Sequence, residues 1–216
     1  QFPTFPEKET DINEKTVLIS LVYKTYWINQ GLKLEFTKHL ADNIAKSLPP
    51  EKVSFVLHQL IKTITSSRAV YYQPWVYQSI IYEKLIESKL ADITDMFELG
   101  RLYSSWGDPN KALPVFQQII NSTDNKGTKQ SAYLGIMFIY WKLLKEEEMR
   151  NTLHQLQSID PFSSQSQEGE LDLHQLLCDL GKEDEAYEIL KNFASKYPDS
   201  KYLPLVKKQL ESIENK

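Results

Sequence analysis

Residues 96–124 read MFELGRLYSSWGDPNKALPVFQQIINSTD and contain two short amphipathic helical patterns separated by a turn at Gly107. Residues 133–161 and 170–198 show the same arrangement, so the pattern returns twice at a spacing of 37 residues. Repeats of this period are typical of a helical solenoid, in which each unit buries its apolar face only against its neighbours. Such proteins hold other molecules more often than they transform them.

The composition of the 216-residue chain is that of a globular protein, with 41% hydrophobic and 25% charged residues. A net charge of −4 provides no basic surface for phosphates, so we expect no nucleic-acid partner. The longest apolar runs are too short for a spanning helix, which needs about 20 residues, so no transmembrane span is expected. Cys178 is the single cysteine, and its apolar surroundings predict a core residue.

Ahead of the repeats, glycine is scarce and apolar residues recur at helical spacing, which favours an all-α fold. The spacing predicts four helices, over residues 14–29, Leu34–Ser47, 51–65 and 75–89. The prolines at positions 50 and 74 are expected to open the third and the fourth. These helices are read as degenerate repeats or a packed bundle, and a separate functional domain remains the alternative.

The three repeated segments resemble the tetratricopeptide repeat family, whose signature places small, aromatic and proline residues at fixed offsets over 34 positions. The first segment carries Leu99, Gly100, Tyr103, Gly107, Ala112 and Phe116 at signature positions. The second carries Tyr133, Tyr140, Leu153 and Pro161, but Met137 and Met149 replace the small residues. The third carries Leu173, Gly181, Ala186, Leu190 and Pro198, with His174 in place of the first glycine.

The resemblance implies an all-α fold, a right-handed superhelix of antiparallel helix hairpins with an N-terminal helical bundle and a C-terminal capping helix. We expect an extended tether at 1–13, N-terminal helices at 14–90, three repeats at 91–200 and the capping helix at 201–216. The start of the chain at Gln1 suggests a processed product or a fragment.

The resemblance also implies which side chains line the concave groove, because fixed positions of each first helix face it. The predicted partner-binding residues are Phe97, Arg101, Phe138, Trp141, Lys142, Leu171 and Gln175. Cys178 and Asp179 occupy further groove positions. The competing interpretation is that these residues pack against the N-terminal helices or the capping helix. A second candidate face comprises the aromatic residues Tyr71, Tyr72, Trp75 and Tyr77, for which helix packing is again the alternative.

Signals for catalysis are weak. The sequence contains no HExxH, GxSxG, GxxxxGKS/T or GxGxxG motif, and its four histidines lie apart, so we expect a non-enzyme without metal or cofactor. Co-chaperones with these repeats bind a terminal carboxylate through cationic residues. The equivalent positions here include Glu168 and Asp172, which would repel a carboxylate.

Residues 186–202, AYEILKNFASKYPDSKY, resemble a sequence pattern that is frequent in bacterial envelope proteins with these repeats, such as outer-membrane assembly lipoproteins. We therefore expect a periplasmic or envelope adaptor that binds a protein partner, with a lipid anchor upstream of Gln1 as one possible form. A cytoplasmic location is the alternative, and a homo-oligomer is compatible with the sequence. The alternative function is a small-ligand carrier with a pocket between the N-terminal helices and the repeats.

Overall fold

The fold is described from a computed structural model, in which residues 34–66 and 74–214 are placed. The predicted tether and the predicted helix over residues 14–29 lie outside these ranges. Contacts divide the chain into two compact units, Gln1–Gly107 and Asp108–Lys216. All regular structure in the two described ranges is helical, which confirms the all-α prediction. None of these helices is long and apolar enough to cross a membrane.

The first unit contains α1 (Leu34–Ser47), α2 (Pro50–Ser66), α3 (Pro74–Glu87) and α4 (Ile93–Ser105). Helix α1 has the predicted bounds. Pro50 and Pro74 begin α2 and α3, because a backbone N–H in the first turn of a helix has no acceptor within the helix, so proline loses nothing by lacking it. The three helices α1, α2 and α3 share an apolar core that includes Ile44, Leu57, Leu60, Ile81 and Leu85.

A histidine–carboxylate pair joins α2 to α4 within this unit. The His58 Nε2 lies 2.8 Å from Oδ1 of the buried Asp95, and its Nδ1 lies 2.7 Å from the Ser54 carbonyl oxygen. Asp95 also completes a capping box with Asp92 at the start of α4. Desolvation lowers the pKa of His58, but its hydrogen bonds to Asp95 and Ser54 outweigh this effect, so the pKa lies above its ordinary value.

The second unit contains α5 (Pro109–Ser122), α6 (Lys126–Lys142), α7 (Glu146–Ile159), α8 (Ser164–Asp179), α9 (Glu183–Lys196) and α10 (Leu203–Glu214). The side chains of Asp108, Asn125 and Ser163 accept backbone hydrogen bonds at the starts of α5, α6 and α8. Helices α6 and α7 form one hairpin, and α8 and α9 form the next. The first helix of each hairpin, α6 in one and α8 in the next, also packs against the other.

The turns within the two hairpins have the same hydrogen bonds. The Lys145 N–H donates to the Tyr140 carbonyl at 2.8 Å, and the Lys182 N–H donates to the Leu177 carbonyl at 2.9 Å. Each turn passes through a left-handed residue, Leu144 (φ 54°) in the first and Gly181 (φ 71°) in the second. This pattern is a Schellman-type helix end, which satisfies the last carbonyl groups of the helix.

Two glycines provide the close helix contacts that the signature assigns to other positions. A Cβ added to Gly135 of α6 would lie 2.5 Å from the ring of the buried Phe116 in α5. A Cβ on Gly169 of α8 would lie 3.0 Å from both Leu153 and Leu156 of α7. Met137 and Met149 are fully buried in the same core, so the second repeat places its small residues elsewhere along the helices.

The C-terminal end of the unit has its own apolar cluster, formed by Leu190, Phe193, Tyr197 and Val206. Helix α10 contributes Val206, which is completely buried, and so covers α9. Beside this cluster the buried Glu170 of α8 accepts three hydrogen bonds at Oε1. The donors are the Tyr197 hydroxyl at 2.8 Å, Lys196 Nζ at 2.5 Å and Gln157 Nε2 at 2.5 Å.

The acidic run 146–148 lies in the first turn of α7, where negative charge stabilises the positive end of the helix. Glu146 also belongs to a closed set of ion pairs with α9 and the turn before it. Arg150 bridges Glu146 at 2.9 Å and Glu185 at 2.6 Å. Lys182 bridges the same two carboxylates at 2.7 and 3.5 Å.

Candidate functional site

The last turns of α6 present an aromatic pair. The Phe138 and Trp141 rings meet edge to face, with centroids 6.0 Å apart and planes at 83°. The ammonium group of Lys142 lies 5.6 Å from the centre of the Phe138 ring. Both aromatic side chains are half-buried, so part of each remains accessible to solvent. Three of the predicted groove residues therefore lie together.

Helix α8 contributes the polar side of this surface. The Trp141 indole Nε1 donates to Asp179 Oδ2 at 2.6 Å, and Gln175 Nε2 donates to Asp179 Oδ1 at 3.0 Å. These hydrogen bonds lower the pKa of Asp179. The indole is thus held in one orientation by the neighbouring repeat, which places the predicted Gln175 next to the aromatic pair. We call Phe138, Trp141, Lys142, Gln175 and Asp179 the α6–α8 surface.

The same edge of α8 carries a half-buried carboxylate, Asp172. Burial and the nearby Glu168 carboxylate raise the pKa of Asp172 to about 6. Asp172 makes no hydrogen bond or ion pair with any residue in the described ranges. The sequence placed Asp172 at a groove position through the family resemblance, but it gave no sign that this carboxylate would be half-buried without a cation.

Leu171 lies elsewhere than its predicted companions. It packs against the C-terminal cluster that includes Phe193 and Val206, in line with the alternative of packing against the capping helix. Cys178, by contrast, is exposed, so its assignment to the core was wrong. The buried face of α8 passes through Leu173, Leu176 and Leu177, and Cys178 falls outside it.

Phe97 and Arg101 belong to α4 in the first unit. Phe97 is half-buried, and Arg101 is exposed, with its guanidinium 2.6 Å from Glu98 Oε2. Their participation in the α6–α8 surface stays a prediction.

The second candidate face is described only in part. Tyr71 and Tyr72 lie outside the described residues. Tyr77 is half-buried on α3 and packs against the core of the first unit. Trp75 is also half-buried, and a Cβ on Gly107 would lie 3.1 Å from its ring. For Trp75 and Tyr77, the observed contacts are therefore those of helix packing.

A separate open pocket of about 440 Å³ lies between α5, α6 and α7. Its lining is mixed: Leu113, Pro114, Ile136 and Tyr140 are largely apolar, whereas Gln117, Glu148, Asn151, Thr152 and Gln155 are polar. Within residues 34–66 and 74–214, no three His, Cys, Asp or Glu side chains come close enough to hold a metal ion.

Comparison with known families agrees with this geometry. The family model of the tetratricopeptide repeat matches residues 175–200, which cover the end of α8, the Gly181 turn and α9. The matched stretch and the consecutive helical hairpins around it support a tetratricopeptide-type repeat architecture. This family is generally a non-catalytic scaffold for protein–protein interaction. A search of curated proteins with the whole chain gave no match.

Proposed function

We propose that the chain is a non-catalytic adaptor that binds a segment of a partner protein on the α6–α8 surface. The observation that carries this proposal is the Phe138–Trp141 pair, fixed across two repeats by the hydrogen bond from Trp141 to Asp179. Aromatic anchors supply most of the binding energy in many interfaces. A ring that is already oriented loses less conformational entropy when a partner binds.

The proposed setting is an assembly in the bacterial envelope, with attachment through a lipid anchor as one form and self-association as another. Support comes from the resemblance of residues 186–202 to a sequence that is frequent in bacterial envelope proteins with these repeats. Fractionation of cells that produce the native protein tests this setting. Recovery with periplasmic or membrane material is expected, whereas recovery in the cytoplasm would remove the envelope setting and leave the adaptor proposal intact.

A small-ligand carrier is the second candidate, favoured by the pocket between α5, α6 and α7, which both apolar and amide side chains line. This pocket lies within the second unit and so differs from the inter-unit pocket that the sequence suggested. Mass spectrometry of the intact protein under native conditions would detect a co-purifying small molecule. Its displacement by an Ile136→Trp substitution would favour the carrier over the adaptor.

The adaptor proposal is tested by a photo-crosslinking amino acid placed at Gln175 in cells. We expect one partner protein to be crosslinked there and none at Lys207, an exposed control position on α10. The crosslink should disappear when Phe138 and Trp141 are both replaced by alanine, provided that circular dichroism shows unchanged helicity. A crosslink that survives this double substitution would move the binding surface elsewhere.

A further inference from the structure

We propose that the partner segment is basic, with a lysine or arginine side chain seated beside Asp172 and against the Phe138 and Trp141 rings. This inference rests on the proposed function, because it names the chemistry of the segment that the α6–α8 surface would bind.

The first step is the placement of acidic groups along α8. Glu168, Asp172 and Asp179 follow one another at intervals of four and seven residues, which places them on one side of a helix. Asp179 contacts the Trp141 indole, so this side of α8 runs toward the aromatic pair on α6. A segment lying on the aromatic pair would therefore run beside a row of carboxylates.

The second step is that this row lacks a counter-charge within the described parts of the chain. Glu168 and Asp172 form no ion pair there, and Asp179 accepts its hydrogen bonds from the neutral Trp141 and Gln175. Lys142 lies over the Phe138 ring. The side chains named here thus carry three carboxylates and one ammonium group. Glu168 and Asp179 are exposed, but Asp172 is half-buried, and a half-buried carboxylate without a partner is unfavourable, so a cation from another molecule would relieve that cost.

The third step is the aromatic pair itself. A guanidinium or ammonium group is attracted to the face of an aromatic ring, most strongly to that of tryptophan. Arginine can stack on such a ring while it donates hydrogen bonds to a carboxylate. An acidic segment would meet like charge along α8, which costs affinity and selects against such partners.

The test is a display library of random 12-residue peptides, selected on the whole protein at low salt and counter-selected on the Phe138→Ala, Trp141→Ala variant. We expect enriched peptides to carry lysine or arginine next to an apolar residue. Synthetic copies should bind Asp172→Asn about tenfold more weakly, because the isosteric amide removes only the charge. Affinity should also fall when salt is raised from 50 to about 500 mM.

A matched control is Asp199→Asn, the same change at an exposed carboxylate in the turn before α10. It should bind the selected peptides as the parent does. Selected peptides that need Phe138 and Trp141 but lack basic residues would contradict the proposed basic segment, as would peptides that bind Asp172→Asn as well as the parent. Either result would be compatible with the proposed adaptor function. If no selected peptide depends on Phe138 and Trp141, the adaptor surface fails as well.

Discussion

Leu144 occupies a backbone conformation that suits glycine better than leucine. Its φ of 54° matches the position that Gly181 fills in the next hairpin, and its side chain is 54% exposed. We expect Leu144→Gly to stabilise the protein by about 0.5 to 1 kcal/mol, because relief of left-handed strain exceeds the added entropy of the unfolded chain. Urea unfolding measures this difference.

The reverse change serves as its control. Gly181→Ala should destabilise the protein by about 1 kcal/mol, since it introduces the same strain at an open site. If Leu144→Gly were destabilising instead, contacts of the exposed leucine would outweigh the strain of its backbone.

Gly135 determines how closely α6 approaches Phe116. Gly135→Ala should destabilise the protein by about 2 kcal/mol, although alanine favours a helix, because the added methyl group overlaps the buried ring. Gly127→Ala is the control on the same helix, where an added Cβ meets its nearest neighbour at an ordinary 3.4 Å. Thermal unfolding of both variants compares them, and equal melting temperatures would mean that Phe116 moves aside freely.

The pKa of Asp172 is a property that can be measured directly. Carbon NMR of the aspartate carboxyl groups should show one group titrating near pH 6, because burial and Glu168 both disfavour its charged form. Since the folded-state pKa is raised above 3.8, ionisation of Asp172 reduces stability as pH rises from about 4 to 6. A bound basic peptide should lower this pKa. A titration midpoint near 4 in the free protein would contradict the half-buried, unpaired carboxylate.

At the scale of helices, Glu170 ties α8 to α7 and α9. Glu170→Ala should cost about 3 kcal/mol, because it leaves the donors of Gln157, Lys196 and Tyr197 without their shared acceptor. Glu168→Ala, two residues earlier and exposed, should change stability by less than about 0.5 kcal/mol. Urea unfolding midpoints at pH 7 compare the two variants. If both lose the same stability, the hydrogen bonds to Glu170 contribute nothing to the stability of the protein.

The helices themselves were largely readable from the sequence, whereas several side-chain positions were not. Helix α1 has its predicted bounds because apolar spacing and the following prolines are local signals. The exposure of Cys178 depends on which side of α8 packs against the neighbouring helices. The apolar residues around Cys178 in the sequence do not show which side that is. The hydrogen bond from Trp141 to Asp179 joins residues 38 positions apart, so only the repeat period hinted at it.

At the scale of the whole molecule, a solenoid distributes its stability between neighbours. Val206→Ala should cost about 2 kcal/mol at the C-terminal cluster. Hydrogen exchange should accelerate in α9 and α10 and stay unchanged in α5, because each repeat stabilises mainly the next. Leu205→Ala is the control, since Leu205 is 55% exposed. Uniform acceleration across the second unit would show instead that it opens as one cooperative body.

The position of α10 shows how a further repeat could be added to such a chain. The first helices α6, α8 and α10 begin at Lys126, Ser164 and Leu203, so α10 continues their spacing. Its outer side keeps Leu205 and Ile213 in contact with water. In the described part of the chain α10 is therefore half of a hairpin whose outer side exposes two apolar residues among charged ones. Gene duplication, or a designer, could append a hairpin at this end and leave the preceding cores as they are.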